Sequence, residues 1–154
     1  MKTLVLVTLL LSSGVAEAQD FNTRLVVKLS EILGVEAPKK IVIKVVSQKE
    51  LLGDYRDYLV TNCIGYDHSR FDFCVQNVVS EGNFIHGLWI PEKDGSLHVK
   101  LHKNSGMDAL IHEYCHWYLN KVTPFLNNHT VLEVVVARLI TSPQLLEWLE
   151  KEQR

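Results

Sequence analysis

His112-Glu113-Tyr114-Cys115-His116 is an H-E-x-x-H pattern inside a stretch that otherwise reads as one apolar helix. Residues four apart share a helix face, so both imidazoles can reach one cation. Glu113, between them, is not a ligand in that arrangement. Its carboxylate sits beside the cation, where it can take a proton from water as a general base. Ala109, Leu110, Ile111, Tyr114, Cys115, Trp117 and Tyr118 flank the pattern without a charge, so the helix is expected to be buried, and two histidines and a carboxylate in such a place need partners. Cys115 points away from the two histidines and is expected to be a buried thiol.

A catalytic zinc takes three protein ligands and keeps one position open. A third histidine six residues after His116 is ruled out, because Val122 stands there, and no aspartate follows His116. Glu133, His129 or a terminal glutamate (Glu147, Glu150, Glu152) remains. Glu133 lies in Val131-Leu132-Glu133-Val134-Val135-Val136-Ala137, with Val136 and Ala137 at the helical spacings where a cation would rescue it. A metal would compensate a carboxylate buried there, and Glu133 is therefore favoured as third ligand. Its other reading is a capping box with Thr130. The expected set is one Zn²⁺ on His112, His116 and Glu133.

These residues need a scaffold, and the patterning supplies an α+β one. Phe21 to Leu33 has a helical apolar period stopped by Gly34. Ile41 to Val46 is a β-branched strand, and Ser47 with Glu50 caps a helix to about Leu59. Phe71 to Val79 and Phe84 to Ile90 read as strands. After the turn at Pro91 to Gly95, Leu97 to His102 alternates, Leu97, Val99 and Leu101 on one face and His98, Lys100 and His102 on the other. That suits a sheet edge with one wet face. Ser105 with Asp108 caps the helix of His112, which runs to about Asn120. A helix from about Val131 to Ile140 and a short one begun by Ser142-Pro143 complete the chain.

The 154 residues are one domain's worth, the first of them carrying export signals. Lys2, the apolar run Leu4 to Leu11 and Ala16-Glu17-Ala18 form a signal-peptide pattern, leaving residues 19–154 as the mature domain, periplasmic or secreted. The run is shorter than the roughly 20 residues of a bilayer span, so no membrane association is expected after cleavage. A formal charge of -2 carries no nucleic-acid footprint. Cys63 and Cys74 flank a polar segment that an oxidising compartment would let them bridge.

The combination of H-E-x-x-H on one helix, a reversal, and a glutamate on the next resembles the gluzincin zinc metallopeptidases, over about Leu97 to Ile140. The resemblance implies a small zincin-like domain, with a mixed, mostly antiparallel sheet packed on an active-site helix and a glutamate helix. It implies peptide or protein substrates, laid along the strand that precedes the active-site helix as an added strand. His112, His116 and Glu133 become ligands and Glu113 the general base. Larger members carry a further acidic residue where Ala137 stands, and a C-terminal subdomain with a transition-state donor. Here Tyr118, His129, His98 and His102 are the donors available. The alternatives are a non-catalytic exported zinc-binding or partner-binding protein, and a latent enzyme whose tail, Ser142 to Arg154, covers the cleft.

Overall fold

The structure is a computed structural model and describes residues 15–63, 85–126 and 128–154. Helix α1 (Val15–Leu33) is followed by strand β1 (Ile41–Val46), helix α2 (Gln48–Cys63), strands β2 (Gly87–Ile90) and β3 (Leu97–His102), and helix α3 (Met107–Val122). A 3-10 turn at Pro124–Leu126 leads to α4 (His129–Ile140) and α5 (Pro143–Glu152). The class is α+β, as the patterning implies. The expected strand at Phe71 to Val79, the apolar leader and Cys74 lie outside the described residues. No helix among the described residues is long and apolar enough to cross a membrane.

Several boundaries follow from local chemistry. Gly34 ends α1 in a left-handed conformation, φ 66°, where a Cβ would be strained. The Gly34 and Val35 amides then donate to the Glu31 and Ser30 carbonyls at 3.1 and 3.0 Å, the paired bonds that close a helix C-terminus. Asn128 and Ser142 cap α4 and α5 by accepting from Val131 N and Leu145 N. The cap of α3 differs from expectation. Gly106 is its N-cap, without a side-chain bond; the Ser105 hydroxyl donates instead to the His86 carbonyl, tying the helix start to the residue just before β2. Likewise only half of the Ser47–Glu50 box forms: Ser47 accepts from Glu50 N, while the Glu50 carboxylate turns to Lys100.

The strand order is β1-β3-β2, with β1 parallel and β2 antiparallel to β3. The sheet is thus mixed, but among the described residues the antiparallel majority is not found. β3 is central, not an edge. Its alternation has another cause: Leu97, Val99 and Leu101 are buried with α3, whereas Lys100 on the opposite face donates to Glu50 and Asp54 of α2. That face is covered by a helix through ion pairs rather than left wet, and His102 is buried too.

The main core gathers Leu25, Val26 and Leu29 of α1, the β3 leucines, Leu110, Ile111 and Tyr114 of α3, Leu132 and Leu139 of α4, and Leu145 of α5. At its centre the Tyr114 hydroxyl and Ser30 Oγ share a buried hydrogen bond of 2.9 Å. The side chain of Tyr114 thereby locks α3 to α1. Cys115 is buried and free, and burial pushes its thiol up to about 12, as befits an inert core group.

Candidate metal centre

Helix α3 buries Tyr114, Cys115 and Trp117 in the core and leaves His112 and His116 on its partly exposed side. The spacing of four aligns them, with ring centroids 5.1 Å apart and planes at 75°. The chain then reverses, and α4 begins at His129. That imidazole lies 5.6 Å from the His112 ring and 5.2 Å from the His116 ring. One ligand atom from each of the three falls within 4.8 Å of the others. A tetrahedral zinc would need about 3.3 Å between nitrogens, given bonds of about 2.05 Å. Three borderline nitrogen donors suit a divalent transition metal. The cluster is close enough to hold a metal ion.

His129 therefore joins the two motif histidines, while Glu133 sits otherwise than expected. Its side chain is 64% exposed, because α4 lies at the surface with only Leu132 and Leu139 buried. The burial that would have demanded a cation for it is absent. Its Oε1 nevertheless approaches His112 Nδ1 at 3.6 Å, beyond hydrogen-bond length but within ion-pair reach. Burial lowers the His112 pKa, the Glu133 carboxylate opposes that, and His129 adds to it. A neutral imidazole is the form that ligates. Thr130 forms no capping box with Glu133, since Asn128 caps the helix. Of the terminal glutamates, Glu152 pairs with Arg24 of α1.

Glu113 is 8% exposed. Its Oε2 accepts the main-chain N–H of Trp89 at 2.7 Å. Burial raises its pKa to about 7, and the Trp89 bond acts in the opposite direction. A carboxyl poised there is matched to proton transfer near neutral pH.

Its approach to β2 depends on Gly87: a Cβ there would lie 2.9 Å from Glu113 Cγ and 3.0 Å from Leu101 Cδ2. Trp89, two residues on, stacks its indole on His116 with centroids 6.2 Å apart and planes at 8°. A cavity of about 250 Å³ joins these groups, lined by Tyr55, Leu88, Trp89, Glu113, His116, Asn128 and His129. Leu88 and Trp89 point to opposite faces of β2, so the cavity wraps the side of that strand away from β3.

Comparison with protein-family models, curated proteins and solved structures finds no match to this chain. The chemistry of the cavity alone carries the functional reading. Tyr118, His98 and His102 do not line it; His98 faces Glu92 at 3.1 Å instead. Tyr55, Gly87 and Trp89 are the additions. Gly87 was open to detection, since a glycine inside a strand marks close backbone approach. Tyr55 had no such signal, because it comes from α2, far in sequence from the motif.

Proposed function

We propose that this protein is an exported zinc metallopeptidase of zincin-like build, acting on peptide or protein substrates. The observation that supports it is the cluster of His112, His116 and His129, two of which, His116 and His129, line a cavity together with the buried Glu113. In this reading His129 is the third ligand, and the gluzincin expectation is modified there. Glu133 acts through His112, its carboxylate drawing Nδ1 from 3.6 Å and leaving Nε2 for the metal, the role a carboxylate often plays behind a metal-bound imidazole. A ligating Glu133 is the competing arrangement.

Zinc, when bound, supplies Lewis acidity toward a carbonyl oxygen and toward water. Glu113 takes the proton of the attacking water and delivers it to the departing amine. Tyr55, which lines the cavity, is assigned as the donor to the oxyanion that develops, a contribution worth roughly 100- to 1,000-fold in rate where such a donor is lost elsewhere. The substrate lies along β2, not along the centrally placed β3.

Zinc titration and casein hydrolysis on single variants test the scheme. His112→Ala, His116→Ala and His129→Ala are expected to lose tight zinc, and Glu133→Ala to weaken it about 10- to 100-fold. Glu113→Gln and Tyr55→Phe should retain zinc while hydrolysis collapses. Zinc lost with Glu133→Ala but kept with His129→Ala would restore Glu133 as ligand. Stoichiometric zinc with no hydrolysis of any unfolded substrate would instead mark a non-catalytic zinc-holding protein.

A further inference from the structure

We infer that Trp89 is a positioning residue for the metal centre, its indole forming the plate against which the His116 imidazole is held. The inference rests on the metal-binding part of the reading above. Trp89 pairs with Val99 of β3, and the neighbouring bond from His102 N to His86 O fixes which pairs exchange hydrogen bonds. Pairs alternate along an antiparallel ladder, so the Trp89 amide points away from β3, to the side where it meets Glu113. The residue is thereby anchored at its backbone by the proposed base. Its side chain is then free to serve a ligand.

The indole and the His116 ring are nearly parallel, at 8°. His112 and His129, by contrast, meet His116 at 75° and 66°. A plate on one face of the imidazole opposes rotation about its ring bond and keeps its edge, where the nitrogen lone pair lies, toward the other two histidines. The cost is visible. Trp89 Nε1 is buried with no hydrogen-bond partner among the described residues, a penalty that a phenyl ring would avoid. The flat ring, rather than the indole N–H, is thus the feature assigned to this role.

Trp89→Phe and Trp89→Leu separate the plate from mere bulk, since both keep the amide and fill the space with apolar atoms. Zinc affinity is measured by competition with a chromophoric chelator, alongside the melting temperature of the metal-free forms. Trp89→Phe should bind zinc within about threefold of wild type. Trp89→Leu should bind it at least about tenfold more weakly, the lower end of what lost ligand orientation costs. Zinc should also change the tryptophan emission of the wild-type protein, a change missing from Trp89→Phe. Equal zinc affinity in wild type and Trp89→Leu overturns the inference and leaves the metal centre standing. So does a phenylalanine variant as weak as the leucine one, or an emission change that Trp89→Phe retains. Failure of the wild-type protein to bind zinc overturns both readings.

Discussion

Glu113 reaches β2 because Gly87 has no side chain. Gly87→Ala would drive a methyl group toward the Glu113 Cγ from 2.9 Å, with Leu101 Cδ2 equally close behind it. One of the two must shift, at about 1–3 kcal/mol for an overpacked site. We expect a lower melting temperature and a larger proportional loss of hydrolysis than of stability, read by thermal melts and casein turnover. An alanine variant with unchanged melting and turnover would show that the close approach is not needed. At this scale the motif residues were legible, because helical spacing alone puts His112 and His116 on one side of α3. The burial expected of Glu133 is absent, because a run of valines does not by itself mean burial. Val134 is 57% exposed in that very run, and local composition does not reveal which helix faces another.

Helix α2 is held to β3 by a charged clamp, Lys100 donating to Asp54 at 2.6 Å and to Glu50 at 2.9 Å. The Asp54 and Glu50 bonds, in that order, raise the Lys100 pKa above its ordinary 10.5. A raised amine pKa stabilises the fold below the unfolded value and loses that contribution as pH climbs through the higher folded one. Lys100→Met should therefore be less stable than wild type at pH 8 by roughly 0.5–1 kcal/mol, and urea melts should show the difference shrinking only above pH 10.5. A difference that is already gone at pH 9 would rule out the clamp. The alternation of Leu97 to His102 marks a strand with two unlike faces. Its central place was hidden, because a lysine paired to a helix and a lysine in water look the same in sequence. Ser105 is a parallel case, its hydroxyl being spent on the His86 carbonyl just before β2.

Across the whole molecule, the C-terminal helix belongs to the core and not to a lid. Leu145 is fully buried, Trp148 stacks on Phe21 at 5.7 Å, and Glu152 bonds Arg24. No α5 residue lines the histidine cavity; Leu149 of α5 and its C-cap Gln153 border a separate one beside α1. Removing residues 143–154 is thus expected to abolish the cooperative melt, and Leu145→Ala to cost about 2–5 kcal/mol. A truncated chain that melts like the parent and hydrolyses faster would reinstate the latent-tail idea. The pairing of α1 with α5 joins the two ends of the described chain, a relation no local pattern encodes, although both helices were themselves legible.

Asn128 caps α4 through its side-chain oxygen and also walls the cavity. With His129 and Thr130 it spells an acceptor sequon for N-linked glycan. Attachment at the amide nitrogen would leave the capping oxygen in place, so the helix would still start correctly, yet a sugar would stand at the cavity wall beside His129. Protein made in a eukaryotic secretory pathway would then fold and be blocked, whereas the same chain made in bacteria would be open.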